Sequence, residues 1–261
     1  MYTTNNNWLA VASIVVAGVN LITCENVESQ YGPSRNLIFH ETFEGSEPFS
    51  TVHNKEIGDW EYALQYVDTL VYDGSHTARF EIRQEQPFVA DGKRSEVTII
   101  MGTNEFLTRN AWYSFAVYFP SDAFAADTTY DVVSQWYNEG SPVRFIAKGD
   151  RFLMDIGNES GSKEKIEVGD LTRDTWHEFI FNMVHSPYSD GRLTLWHNGE
   201  RKVDYSGGNL YNEGLPKWKI GIYKAAFEDG TSLAARRVVF FDNVKVGNEK
   251  ANYRDMEPMR P

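Results

Sequence analysis

Three short segments hold the side chains best suited to proton transfer and anion binding. In Gly92-Lys93-Arg94-Ser95-Glu96-Val97, Arg94 and Glu96 stand two apart, so on a strand they share a face. A guanidinium is a planar fork that grips a carboxylate with two hydrogen bonds, and Glu96 could orient that fork. An ordinary ion pair on a wet sheet would look the same. In Asp131-Val132-Val133-Ser134-Gln135-Trp136-Tyr137-Asn138, Gln135 and Tyr137 share a face. An amide can hydrogen-bond a carboxyl group and a phenol can move a proton, although both residue types also occur on solvated strands. In Lys217-Trp218-Lys219-Ile220-Gly221-Ile222-Tyr223-Lys224, Lys219, Gly221 and Tyr223 alternate onto one face. Lys219 near Tyr223 would favour the phenolate, and Gly221 would leave room for a ligand against the backbone. An edge strand guarded by lysines is the competing explanation. Lys93, Lys217 and Lys224, with Arg144 further along, make these surroundings locally basic and are taken as contacts for an anionic ligand.

Strands must carry these residues. Period-two alternation runs through 78–83, 112–119, 176–184, 192–197 and 238–246. Turn signals separate such runs, among them Asp91-Gly92, Ser189-Asp190-Gly191 and Asn198-Gly199. Long amphipathic helical patterns, internal repeats and low-complexity runs are lacking. The pattern predicts an all-β fold, a β-jelly-roll of two antiparallel sheets with a concave groove, forming a single domain over residues 25–261. The 261 residues include 37 acidic and 25 basic side chains, a formal net charge of −12. That balance argues against a nucleic-acid partner; any basic groove has to be built locally. One cysteine allows neither an intramolecular disulfide nor a cysteine-rich zinc site.

The ordered set Arg-Ser-Glu, Gln-Trp, Trp-His-Glu-Phe, Gly-Arg with Trp-x-Asn-Gly, Lys-Ile-Gly-Ile-Tyr-Lys and Phe-Asp-Asn-Val-Lys-Val resembles the heparin lyase I-like polysaccharide lyases and the related glucuronan lyases. The likeness runs from about Phe43 to Gly247. It implies a jelly-roll enzyme that cleaves uronic-acid polysaccharides by β-elimination. That reaction needs the uronate carboxylate neutralised, a base for the C5 proton and an acid for the leaving O4. The resemblance assigns Arg94 and Gln135 to the carboxylate, and Tyr223 with Lys219 to proton transfer. Many relatives carry Gln-x-His where this chain has Gln135-Trp136-Tyr137. Three sources of the base remain: Tyr137 in place of that histidine, a histidine from a loop, or Tyr223 acting twice. Among the six histidines, His53 is the loop candidate and His76 a second; His177 and His197 read as structural.

Two other function classes share the fold: a carbohydrate-binding module, which needs aromatic platforms, and a glycoside hydrolase, which needs paired carboxylates. No Glu-x-Asp-x-x-Glu strand supports the hydrolase. Trp136, Tyr137, Trp218 and Tyr211 are candidates for stacking on sugar, with core packing the alternative for any tryptophan. Glu44 and Asp242, in early and late segments resembling those that meet in jelly-roll carbohydrate proteins, are candidate ligands of a structural calcium ion, with simple solvated acids an equal alternative. No organic cofactor is implied, and the expected state is a monomer acting on an anionic polysaccharide.

Trp8 to Ile22 is apolar but short for a membrane span. It predicts an export signal over residues 1–24. Leu21-Ile22-Thr23-Cys24 resembles a lipobox, although no Lys or Arg precedes the apolar run and Thr replaces the usual small residue. The chain is therefore expected to be secreted, or held at the outer surface of a bacterium as a lipoprotein, with a lipid on Cys24 as its only link to a membrane.

Overall fold

The alternating segments become strands that stack as two antiparallel sheets. The computed structural model describes residue 1 and residues 35–258, so the proposed signal and Cys24 lie outside the described residues. Fifteen strands are numbered along the chain. The eight-stranded sheet contains β1 (Leu37–Glu41), β3 (Leu64–Val67), β4 (Thr77–Arg83), β6 (Asn110–Tyr118), β11 (Trp176–Val184), β12 (Arg192–His197), β13 (Glu200–Ser206) and β15 (Arg236–Gly247). Its order is β13-β12-β11-β6-β15-β4-β3, with β1 also pairing β15. The seven-stranded sheet contains β2 (Asn54–Glu56), β5 (Arg94–Ile100), β7 (Asp131–Tyr137), β8 (Val143–Lys148), β9 (Arg151–Gly157), β10 (Lys163–Asp170) and β14 (Lys217–Tyr223). Its order is β10-β9-β8-β7-β14-β5-β2. The only α-helix among the described residues is the four-residue α1 (Tyr253–Met256). This is the β-jelly-roll that the alternation predicts.

Asn198-Gly199 joins β12 to β13 with positive φ at both residues, 49° and 83°, the backbone a two-residue hairpin turn needs. The facing sides of the sheets enclose one apolar core. Trp136, Trp218, Tyr113, Phe115, Phe145 and Phe181 form its aromatic centre, and Trp136 and Trp218 are wholly buried. Tyr113 lies edge-on to Trp136 at 5.4 Å, and Trp218 donates a 2.8 Å hydrogen bond to Ser134 Oγ. Every polar tip drawn into the core is costly unless paired, and this one is.

Core packing decides which face of the seven-stranded sheet is left for chemistry. Trp136, Trp218, Ile220, Ile222 and Val97 point into the core. Alternation therefore sends Gln135, Tyr137, Lys219, Tyr223, Arg94 and Glu96 to the opposite face.

Candidate active site

Pairing of β14 between β5 and β7 assembles the three sequence segments. Gln135 stands opposite Lys219, Tyr137 opposite Lys217, and Tyr223 opposite Arg94. The centre of the cluster is a carboxylate that sequence reasoning missed. Glu56, on the three-residue edge strand β2, receives Lys219 Nζ at 2.6 Å on both oxygens and Arg94 Nη1 at 3.0 Å. Arg94 Nη1 also lies 3.1 Å from Glu96 Oε2. Gln135 Nε2 donates to Glu96 Oε1, and Ser141 Oγ donates to Gln135 Oε1. The amide is thus held at both ends, with one N–H of its NH2 still to be used.

Burial opposes ionisation of Glu56, but Lys219, Arg94 and Lys217 outweigh it and hold its carboxyl below the usual range. Glu96 is wholly enclosed, and burial pushes its carboxyl up against the pull of Lys219 and Arg94. Lys217 is lowered by burial and by its neighbour Lys219. Two carboxylates, two lysines and one guanidinium therefore share a partly dry patch, where charge–charge energies exceed those in water.

Two tyrosines flank the patch. Tyr223 donates a 3.1 Å hydrogen bond to Glu228 Oε1, and the Arg94 guanidinium lies 4.7 Å from its ring centroid. Burial and Glu228 push its phenol up to about 12. This reverses the expectation that Lys219 would favour the phenolate, because Lys219 spends its ammonium on Glu56. Tyr137 is 39% exposed, and its hydroxyl has no hydrogen-bond partner among the described residues. The ammonium groups of Lys217 and Lys219 lie 4.6 and 5.6 Å from its ring centroid. Gly92 has a steric reason to be glycine. A Cβ there would lie 2.6 Å from Arg94 Nη2 and 2.9 Å from Tyr223 Cε2, so the turn at 89–92 closes directly over both.

Several expected contacts are placed elsewhere. Trp136 is a core residue, as is Trp218, because each stands one position out of phase with the functional face; neither can stack on sugar. Tyr211 packs its ring beside Gly140 and Gly157. Lys224 is also out of phase. It is fully buried, 3.1 Å from Asp131 and 3.5 Å from Asp127, and Arg237 completes a quartet of two cations and two carboxylates. Lys93 is buried as well and ties its ammonium to the Gln86 carbonyl. Neither lysine is available to a ligand. Gly221 does not open space for a ligand either, since a Cβ would lie 2.2 Å from the Ser95 carbonyl of β5. His53 is exposed in the bend before β2 and uses its backbone N–H on Thr98, and its ring makes no hydrogen bond or ion pair with the cluster among the described residues. Arg144 does stand on the functional face, opposite Gln135, and pairs with Asp155 at 2.6 Å.

The candidate calcium ligands serve as loop clasps. Glu44 Oε1 accepts the backbone N–H groups of Ser75 and His76, both at 2.8 Å. Asp242 Oδ2 accepts those of Tyr72 and Asp73, and Oδ1 that of Asn243. Donor hydrogens thus face both carboxylates where a calcium ion needs oxygens. No three His, Cys, Asp or Glu side chains among the described residues gather to hold a metal. In this arrangement the residues do not fit the ion.

The structure is an antiparallel β-sandwich with a cation–amide–tyrosine cluster on an outer face. Residues 42–245 match the polysaccharide lyase family, and the chain belongs to it. It is a polysaccharide lyase. Among solved structures, the fold is similar to an endo-β-1,4-glucuronan lyase from the fungus Trichoderma reesei, at 12% identity and TM-score 0.66, covering 81% of this chain and 95% of that one. An alginate lyase of polysaccharide lyase family 7 matches at 13% identity and TM-score 0.52, over 72% and 83% of the two chains. The ligand-binding domain of botulinum neurotoxin serotype D, in complex with N-acetylneuraminic acid, matches at 11% identity and TM-score 0.56. That match covers 85% of this chain and 49% of the toxin chain. At these identities the likeness is one of fold. No curated protein matches in sequence.

Proposed function

We propose that the enzyme cleaves a uronic-acid polysaccharide by β-elimination at the Glu56–Lys219–Arg94–Gln135 cluster. The carrying observation is that two cations and an oriented amide converge on one face between two tyrosines. A carboxylate of the chain meets Arg94, Lys219 and the unused N–H of Gln135. These groups stabilise the enolate-like charge that builds as C5 loses its proton. Tyr137, solvent-reachable and beside two ammonium groups, enters as the phenolate and takes the C5 proton. The electron pair forms the C4–C5 double bond, the C4–O4 bond breaks, and Tyr223 hands its phenolic proton to O4. Glu56 positions Lys219 and Arg94 before substrate arrives.

Glucuronan is the first polymer to test, since the glucuronan lyase shares the fold over nearly its whole length; alginate is second. A heavily sulfated chain suits the site less well, because Lys93 and Lys224 are withdrawn into ion pairs and carbonyl contacts. Residues 1–24 are proposed to direct export, leaving a monomer that is secreted or lipid-anchored at Cys24. The reading is tested by incubating the purified domain with glucuronan, alginate and heparin and following ultraviolet absorbance of the unsaturated product. A rise with one polymer supports it. Release of reducing ends without absorbance refutes elimination.

A further inference from the structure

A single row of aligned residues crosses the seven-stranded sheet on the functional face. The register sets Lys165 of β10 opposite Asp155 of β9, and Asp155 opposite Arg144 of β8. Arg144 stands opposite Gln135 of β7, and Gln135 opposite Lys219 of β14. Thr98 of β5 and Asn54 of β2 complete the row. Every position in it is polar. Its cations fall on β14, β8 and β10, which are alternate strands. Neighbouring strands lie about 4.8 Å apart, so the cations recur at roughly 9–10 Å.

An extended 1,4-linked pyranose chain has a matching periodicity. Each ring is turned over relative to the one before, so every second ring offers its carboxylate to the same side. The length of two rings is close to two strand spacings. We propose that Arg144 and Lys165 form distal subsites for a uronate chain lying across the strands, taking carboxylates two and four units from the one at Lys219. The proposal rests on the lyase reading for the identity of the chain, and it deepens that reading by implying an enzyme that acts on long, extended polyuronate.

The local electrostatics suit this role. Asp155 is buried and braces both cations, with Oδ2 2.6 Å from Arg144 Nη2 and Oδ1 3.3 Å from Lys165 Nζ. Tyr130 steadies Arg144 further, its hydroxyl 3.4 Å from Nη1 and its ring centroid 5.3 Å from the guanidinium carbon. Two cations against one carboxylate leave a positive charge here, in a protein whose total is −12. Glu167, two residues along β10, is occupied by Arg151 at 3.2 Å. Lys165 is the more approachable cation, with 57% of its side chain exposed against 20% for Arg144.

The test uses the whole enzyme with Lys165→Gln, Lys165→Arg and Arg144→Gln. Affinity gel electrophoresis in polyglucuronate and in alginate reads binding, and kcat/KM on oligouronates of graded length reads turnover. The expected result is that kcat/KM of wild type climbs with chain length and that Lys165→Gln stops climbing about two units earlier. On long chains the loss is about two- to five-fold, the range for one exposed charge contact. Lys165→Arg restores the climb, and melting temperature reports whether Arg144→Gln still folds. A length profile for Lys165→Gln that superimposes on wild type overturns the proposal. If wild type forms no unsaturated product from any uronan, the lyase reading falls separately. Electrophoresis then decides the subsite: retention lost in Lys165→Gln and regained in Lys165→Arg supports it, and equal retention overturns it.

Discussion

Tyr223→Phe removes one oxygen and little else, which makes it the sharpest probe of the proposed mechanism. The ring and its 4.7 Å contact with the Arg94 guanidinium stay in place. The lost interaction is one 3.1 Å hydrogen bond to the exposed Glu228, worth about 0.5–1.5 kcal/mol. For a chain of this size that moves the melting temperature by only a few degrees, at roughly 2–4 °C per kcal/mol. The catalytic loss is larger. A positioned general acid contributes about 10²–10⁴ in rate, or ~3–5 kcal/mol of barrier. The variant should therefore melt almost like wild type, bind polyuronate in a gel and lose at least about 100-fold in kcat by ultraviolet assay. The pH profile adds a sign. With its phenol pushed up to about 12, Tyr223 keeps its proton through neutral and mildly alkaline pH. A fall of wild-type kcat below that range would have to come from another group. Activity within about threefold of wild type in Tyr223→Phe would refute the acid role, as would a loss that tracks unfolding.

Glu56→Gln removes the negative charge that aligns Lys219 and Arg94, so kcat should fall by about tenfold while affinity for polyuronate rises; steady-state kinetics that show KM and kcat worsening together would count against a positioning role. Lys224→Met leaves two buried carboxylates with one cation and should cost about 3–5 kcal/mol, on the order of 10 °C in melting temperature. If the variant instead melts like wild type and loses only substrate affinity, Lys224 belongs to the groove after all. His185 is buried against Tyr113 Oη at 2.9 Å, and burial lowers it to about 3. Between that value and about 6.5 the unfolded chain binds the extra proton, so this stability is present above 6.5 and is lost on acidification at up to ~1.4 kcal/mol per pH unit. The stability gap between wild type and His185→Gln should therefore narrow from pH 7 to 5 in denaturant melts, and a constant gap would show that the neutral histidine is not what is buried.

The all-β architecture and the face shared by the candidate residues were legible because both follow from a local rule. Alternation along Lys217–Tyr223 puts Lys219 and Tyr223 on one side and Trp218 on the other, and the core then chooses the side. The same rule already excludes Lys224 and Trp136, which stand one residue out of phase. Counting them as ligands weighted charge and aromaticity above parity. The tuning of Tyr223 failed for a different reason: Lys219 is near in sequence, but its partner comes from another strand. Glu56 sits in Asn54-Lys55-Glu56, three polar residues with no alternation to betray a strand. Its importance arises only when β2 pairs with β5 and lays Glu56 opposite Glu96.

Register is the quantity that a single sequence carries least well, and here it decides which candidate site residues meet. β14 shifts against β5 between Trp218 and Lys219, and against β7 between Ile220 and Tyr223. Each irregularity inserts an offset that no pattern within one strand predicts, because it depends on how two distant segments meet. The first shift falls just before Lys219, so that Lys219 to Tyr223 runs against Thr98 to Arg94 in one unbroken register. Without the second, Gln135 and Val132 could not both lie opposite β14 at Lys219 and Tyr223. The site is thus a property of cross-strand alignment, and a single-residue slip of β14 would carry Lys219 and Tyr223 to the core face. A one-residue insertion between Gly214 and Lys217 leaves the β14 sequence intact while straining its entry into the sheet. It should reduce activity more than any single conservative change on the functional face, with far-ultraviolet circular dichroism still reporting a β-sandwich.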